Sequence, residues 1–395
     1  DKGAVAALTQ EHTSMKDSAH CWIYVEQTQD ALQQIATVYR NQFQVPVVGV
    51  TGSVGKTSTR EMIALALSAE KNVMQTKGNS NSQIGLPLTM FQFEEEHTAA
   101  VIEMGISEFG EMKRLVHIAQ PNYAVVTNIG IAHIEQLKTR EHIMHEKLKI
   151  ADAFDEYSIM FLNGDDEMLA SICETTTLPV VYYGTQPWCT YRAEDIQTDG
   201  MKTTFTVHTP TYTSKVTLPV LGIHNVLNAL SAIAVAQTMR LNLDKVVEKL
   251  NEYQPPEMRQ TVYHIDDITV IDDSYNASPD SVKSGIDVLC SLPNQGKKIA
   301  VLADMMELGD MSEQAHFDTG VAVGSTLTDV LITVGPRAVK IAEGAISVKP
   351  DMTVVMCKNN QEAIHVLKEI VKKEDAMMIK GSRSMKTDEI VKAFL

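Results

Sequence analysis

Short apolar runs recur along this chain with helical spacing between them. Strand candidates fall at 46–51, 99–104, 123–128 and 158–162, separated by helix-like segments near 57–69, 108–119 and 141–154. Strands that alternate with helices predict a mostly parallel sheet covered on both faces. Residues 189–219 read differently, being rich in Thr, Val and Tyr around an Asp199-Gly200 turn, and predict antiparallel hairpins added to that sheet. Helical spacing returns at 223–240 and 243–252 before Pro255-Pro256 breaks the chain. A second alternating series follows, with strands near 268–272, 298–302, 329–334, 352–356 and 376–379. The pattern therefore predicts two α/β domains, 45–254 and 255–395, with the proline pair as a hinge. Residues 1–44 are too few for a domain and are expected to be the tail of one whose beginning is missing; the chain opens on Asp1 without a methionine. No internal repeat or low-complexity stretch is visible.

The segment TGSVGKTS (51–58) stands at the end of the first strand candidate and the start of the first helix candidate. A strict Walker A pattern has glycine five positions before Gly55, where this chain has Val50. The physical parts survive that departure. Gly52 and Gly55 let backbone N–H groups of Thr51, Gly52, Ser53, Val54 and Gly55 turn toward phosphates, and the helix N-terminus at Lys56, Thr57 and Ser58 favours an anion. Lys56 adds a charge, and Thr57 can ligate Mg²⁺. Read alone, the segment is a glycine turn capped by threonine; strand before and helix after make it a nucleotide site. No NKxD-like guanine reader follows, which favours ATP.

Composition narrows the partners. The chain has 395 residues, 44% hydrophobic and 21% charged, an ordinary globular balance. Its net charge of −16 argues against nucleic-acid or anionic-membrane binding, so a bound anion must be held by local lysines, backbone N–H groups or metal ions. No apolar stretch approaches a membrane span and no secretory signal is seen. The five cysteines are scattered, without CxxC pairing, and predict a cytoplasmic protein with reduced thiols.

Eight motifs occur in one order: TGSVGKTS, TKGNSNSQIGLP (76–87), VIEMG (101–105), NIGIAHIE (128–135), GIHNVLNAL (222–230), DDSYNASPDS (272–281), ADMMELGDMSE (303–313) and KGSRSMK (380–386). Singly they are weak; as an ordered set, from about Val45 to the end, they resemble the ATP-dependent Mur ligases of peptidoglycan synthesis. The resemblance implies a P-loop central domain and a Rossmann-like C-terminal domain. It makes 1–44 the remnant of an N-terminal domain that holds a UDP-sugar, with residues 2–8 similar to that domain's later portion. The last three motifs are most similar to the family member that joins D-alanyl-D-alanine to UDP-N-acetylmuramoyl-tripeptide. A monomer using ATP and Mg²⁺ is implied.

The chemistry explains the residue types. Joining a carboxylate to an amine in water needs an activated acyl group, and ATP supplies it as an acyl phosphate. An anionic acid must then approach an anionic phosphate, which calls for cations. The resemblance makes Thr57 and Glu103 ligands of a Mg²⁺ on the ATP phosphates and His133 a ligand of a second Mg²⁺. A lone histidine is more often a loop or packing residue; its place in NIGIAHIE carries the assignment. Ile143, Lys147, Ile150, Ala151 and Phe154 share one helix face, so Lys147 is expected amid an apolar stripe, with Glu146 and Lys149 pointing away. A lysine there ordinarily packs its stem and snorkels its amine outward. Desolvation also favours the neutral amine, which reacts with CO₂, and the resemblance implies a carbamylated lysine near the second Mg²⁺. The family often carries Glu two residues on, where this chain has Lys149.

Other positions rest on the resemblance. Asn79 and Asn81, otherwise turn formers, face the muramoyl-peptide. Asn225, otherwise a helix cap, contacts the nucleotide. Arg259 reaches ATP across the hinge, with Met258-Arg259 standing for the family's usual Gly-Arg. Asp273, Tyr275 and Asn276 lie near ATP at the domain interface. Residues 304–309 and 380–386 help form the dipeptide site, where Lys380, Ser382 and Arg383 are donors for a terminal carboxylate. Two other readings stay open: another Mur-type or folylpolyglutamate-type amide ligase, and a nucleotide-dependent regulatory or binding protein.

Overall fold

Val47 and Val48 are neighbours in sequence yet belong to different cores, one on each face of a sheet. Successive strand side chains point to opposite faces, so an unbroken apolar run such as VVGVT is what a strand covered on both sides requires. In the computed structural model, which describes residues 3–11, 21–293 and 295–395, Val47–Thr51 and Ala99–Glu103 are buried at every position.

They sit near one side of a nine-stranded sheet. Its order is Thr213–Leu218, Lys202–His208, Tyr191–Asp199, Val180–Gly184, Ile159–Asn163, Tyr123–Val126, Val47–Thr51, Ala99–Glu103 and Val73–Gln75. The run from Tyr191–Asp199 to Val73–Gln75 is parallel, and the last two hairpin strands pair antiparallel, as the sequence predicts. Helices Lys56–Leu67 and Ile223–Thr238 cover one face, where Met62, Ile63, Leu230 and Ile233 are fully buried. Leu115, Ile118, Ile143 and Ile150 pack on the other.

The connection order sets the site. From Val47–Thr51 the chain moves to one side for Val73–Gln75 and Ala99–Glu103, then returns to Tyr123–Val126 on the other. The crevice beyond the carboxyl ends of Val47–Thr51 and Tyr123–Val126 is thus a topological switch point, where open α/β sheets bind ligands.

A separate six-stranded sheet follows, ordered Thr261–Ile265, Ile268–Asp272, Ala376–Lys380, Lys298–Ala303, Val330–Val334 and Thr353–Cys357. All its pairs are parallel except the first. Pro255 and Pro256 lie between the two bodies, in a segment where Met258 and Gln260 take φ of 61° and 57°. The left-handed conformation at Met258 is one that glycine adopts freely, which gives physical content to the Gly-Arg departure.

Several elements escape the sequence pattern. The strands Val73–Gln75 and Val180–Gly184 and the edge strand Thr261–Ile265 carry too little periodicity to be seen. The helix expected over 141–154 is Arg140–Leu148 followed by a tighter turn, Lys149–Ala151. Within 1–44, Ala6–Thr9 pairs in parallel with Cys21–Tyr24, while helix Thr28–Arg40 packs onto the first body. Ala36 enters its core, and Arg40 Nε donates to Ala119 O at 3.2 Å. Asp1, Lys2 and residues 12–20 of that segment lie outside the described residues. Among the described residues no helix is long and apolar enough to cross a membrane.

Candidate active site

Four residues, Gly52–Gly55, carry the chain from the end of Val47–Thr51 into helix Lys56–Leu67. Gly52 has φ of 150°, and a Cβ there would lie 1.9 Å from Thr127 Oγ1, so backbone alone fits. Gly55 caps the helix at φ 84°. The neighbouring strand's exit moulds the rest. Asn128 Oδ1 accepts from Ser53 N at 3.1 Å and Val54 N at 2.8 Å. Gly130 N donates to Ser53 Oγ at 2.9 Å, and Thr127 Oγ1 donates to Val54 O. The side chains of Thr127 and Asn128 and the backbone of Gly130 thus shape a loop that lacks the first Walker glycine.

Lys56 bends back on this loop, its Nζ donating to Gly52 O at 2.8 Å and Ser53 O at 3.3 Å. Burial lowers its pKa, with Glu103 and Glu307 working the other way. Glu103 ends its strand buried, its Oε2 accepting from Arg60 Nη1 at 3.0 Å and its Oε1 from Asn81 Nδ2 at 2.6 Å. Asn81 therefore reaches an acid beside the loop, whereas Asn79 lies exposed.

Lys147 is 1% exposed and its Nζ donates to Gly52 O at 3.0 Å, the same carbonyl that Lys56 uses. Burial holds its pKa well below the usual lysine value, and nearby Lys56 lowers it further. The apolar stripe does not expel this amine; it delivers it beneath the phosphate loop. Glu146 departs from the expectation that it points away. It is fully buried, where Oε1 accepts from Gly110 N at 2.7 Å and Oε2 pairs with Lys149 at 2.6 Å. Glu146 caps the helix Glu111–Ala119, whose orphan N–H groups need an acceptor, and Lys149 neutralises it.

His133 opens the short helix Ile134–Leu137 at φ 62°. Its Nδ1 lies 2.7 Å from Oε2 of Glu307, which belongs to the second body. The hydrogen bond from His133 holds Glu307 below the usual carboxylate range, aided by Lys56.

The second body forms the facing wall. Arg259 stacks on Tyr275, 4.0 Å from the ring centroid. Lys380 is buried, its Nζ bonding Asp273 Oδ2 at 2.7 Å and Asn276 O at 3.0 Å. It is thus a structural partner of the Asp273–Asn276 loop rather than an open donor. Burial raises the Asp273 pKa, and Lys380 pulls it back. Ser382 Oγ accepts from Met306 N at 2.8 Å. Arg383 is largely exposed, reaching Asp388 at 3.4 Å. Asn225 is buried and donates to Leu221 O at 2.8 Å, which ties it to its own helix start.

The two walls enclose a cleft of about 960 Å³, large enough for a nucleotide with a peptide. It brings together Ser53 through Ser58, Asn81, Glu103, His133, Asn225, Arg259, Asp273, Tyr275, Asn276, Lys380, Ser382 and Arg383. Thr51, Gly52, Asn79 and Lys147 do not line it; Lys147 acts on the loop from behind. Sequence reasoning missed Arg60, one helical turn beyond Lys56, and Asn128, which lies unassigned inside the motif NIGIAHIE; it placed Glu307 only within the 304–309 stretch expected at the dipeptide site, not opposite His133.

Residues 50–236 match the Mur ligase middle domain and residues 258–383 the Mur ligase, glutamate ligase domain. The chain is 36% identical to the UDP-N-acetylmuramoyl-tripeptide–D-alanyl-D-alanine ligase of Bacillus subtilis, over 99% of this chain and 85% of that protein. A crystal structure of MurF from Acinetobacter baumannii superposes with a TM-score of 0.89 at 29% identity, covering 96% of this chain and 83% of that one. MurF from Thermotoga maritima in complex with ADP superposes at 0.87 and 27% identity, over 99% and 88%.

Proposed function

The chain belongs to the Mur ligase family, and from that premise we propose that it joins D-alanyl-D-alanine to UDP-N-acetylmuramoyl-tripeptide at the expense of ATP. The single observation that carries the reading is the shared cleft. A phosphate loop from one body faces a polar wall from the other, with Lys56 and Lys147 converging on Gly52 O.

ATP is a substrate here, and the loop fits it: backbone N–H groups at a helix N-terminus, packed so closely that Gly52 tolerates no side chain. Mg²⁺ fits in one form. Among the described residues no three His, Cys, Asp or Glu side chains converge, so a metal caged by protein alone has no site. A cation carried by phosphates needs only one or two protein ligands, and Thr57 and Glu103 supply hard oxygens beside the loop, with His133 and a carbamylated Lys147 for a second ion. Such cations offset the repulsion between carboxylate and phosphate.

In the reaction, a carboxylate oxygen of the tripeptide bonds to the γ-phosphorus and ADP departs. The dipeptide nitrogen then bonds to the acyl carbon, loses a proton, and phosphate leaves carrying that oxygen. Lys56 holds the transferring phosphoryl group, and Arg259 adds positive charge from the second body. Closing of the two bodies keeps water from the acyl phosphate. The five free cysteines suit the reducing cytoplasm.

The test is isotopic. With ¹⁸O in the tripeptide carboxylate, label is expected in the released inorganic phosphate; unlabelled phosphate refutes the mechanism. ADP release from a panel of muramoyl peptides and amines then identifies the pair accepted, and equal rates with other amines would refute the dipeptide assignment.

A further inference from the structure

His133 and Glu307 come from different bodies and both stand in the left-handed region, at φ 62° and 63°. Their side chains meet at 2.7 Å. Neither residue is glycine, and such backbone persists only where the surroundings over-determine it.

The surroundings of Glu307 do so. Asp304 Oδ1 roots the loop by accepting from Arg337 N at 3.0 Å and Ala338 N at 2.7 Å. Met305 N donates to His316 Nε2 at 2.9 Å and Met306 N to Ser382 Oγ at 2.8 Å. On the far side Glu135 N donates to Glu307 O at 3.4 Å, and Gly309 is packed so tightly that a Cβ would lie 3.2 Å from Glu135 Cβ. Three consecutive anchors thus lead to one carboxylate aimed at one imidazole.

We propose that Glu307 is a positioning residue that acts across the domain interface, fixing the His133 ring so that its Nε2 lone pair is offered to a divalent cation in the cleft only while the two bodies are closed. The proposal rests on the assignment of His133 made above. A neutral imidazole has one N–H and one lone pair; a carboxylate that accepts a hydrogen bond from Nδ1–H keeps the proton there and leaves the lone pair on Nε2. Two further acids of the cleft, Glu103 and Asp273, already have partners within their own bodies, Arg60 with Asn81 and Lys380 respectively. When the bodies part, His133 loses this partner, and the cation site loosens before any phosphoryl transfer can be wasted on water.

The experiment is a Mn²⁺ titration of the full chain, read by electron paramagnetic resonance in the presence of a non-hydrolysable ATP analogue. Glu307→Gln keeps the side chain's size and removes its charge. It is expected to weaken the His133-dependent class of Mn²⁺ at least tenfold, with analogue affinity within about twofold of wild type. His133→Ala should abolish that class, and adding Glu307→Gln to it should change nothing more, because the second residue acts through the first. Glu307→Asp, which keeps the charge but withdraws it by a methylene, should fall between. In turnover, the kcat lost in Glu307→Gln should recover as Mg²⁺ is raised. Unchanged Mn²⁺ binding in Glu307→Gln, additive effects of the two substitutions, or the lack of a His133-dependent class in wild type would each overturn the proposal. The titration needs no turnover, so its failure is distinct from a failure of the oxygen-transfer test.

Discussion

Lys56 and Lys147 donate to one oxygen, the carbonyl of Gly52, at 2.8 and 3.0 Å. Two ammonium groups on one acceptor repel, and burial penalises the deeper one more. Burial lowers both amines, Lys147 further than Lys56, so Lys147 is the one that gives up its proton more readily.

For Lys56 the consequence is direct. Lys56→Ala is expected to lower ADP release by at least about 100-fold, the usual scale for losing one charge-stabilising donor, while thermal unfolding stays near wild type. Wild-type turnover in that variant would refute the loop assignment.

For Lys147 activity and stability should part. Its pKa in the fold lies below its unfolded value, so the folded state binds fewer protons. The destabilisation is full below the folded pKa and is relieved as pH rises toward the ordinary lysine value. Lys147→Met should raise Tm by a few degrees near neutral pH, with the gain shrinking as pH climbs, and should abolish turnover. Removing CO₂ from the buffer should slow the wild-type enzyme and bicarbonate should restore it; a carbamate carbon in ¹³C NMR checks the cause.

Gly52 tolerates no Cβ. Gly52→Ala should cost about 1–3 kcal/mol in denaturant unfolding through overpacking against Thr127. It should also weaken ATP-analogue binding at least tenfold in calorimetry, because the loop must shift to clear the clash.

Lys380→Ala leaves the buried Asp273 carboxylate without its partner. Loss of about 3–5 kcal/mol is expected, read by urea unfolding, and Asp273→Asn should restore part of it in the double variant. A mere loss of dipeptide binding with unchanged stability would return Lys380 to the role of an open donor.

His224 should report on acid. Its Nε2 pairs with Gln260 Oε1 at 2.9 Å, and burial pushes its pKa down from 6.5 to about 4. The folded form resists protonation, so stability is lost as pH falls from 6.5 toward 4 and levels below, by at most about 3 kcal/mol. His224→Gln should flatten that part of the stability profile.

Much of the site was legible because its chemistry is local. Gly52, Gly55, Lys56 and Thr57 fall within one short stretch, 52–57, and a strand before them with a helix after gives them one meaning. Lys147 was legible as an oddity, a charge in an apolar stripe. Glu146 was misread for an instructive reason: a buried acid one position off the stripe is indistinguishable from a solvated one until a helix end, at Gly110, arrives to be capped. The partner of Lys380 was hidden in the same way, since a lysine in a polar loop gives no sign of the Asp273 that pairs with it.

The one-dimensional pattern by itself determined the alternation of strand and helix, the antiparallel addition near Gly200, the break at Pro255-Pro256 and the phosphate loop, because each depends on neighbours within a turn or two. Tertiary structure alone decided the pairings: Asn128 with the loop, Arg60 with Glu103, Lys147 with Gly52, and His133 with Glu307. These partners lie 43 to 174 residues apart, beyond the reach of periodicity or propensity. Only the crossover of the sheet and the meeting of the two bodies bring them within a hydrogen bond's length.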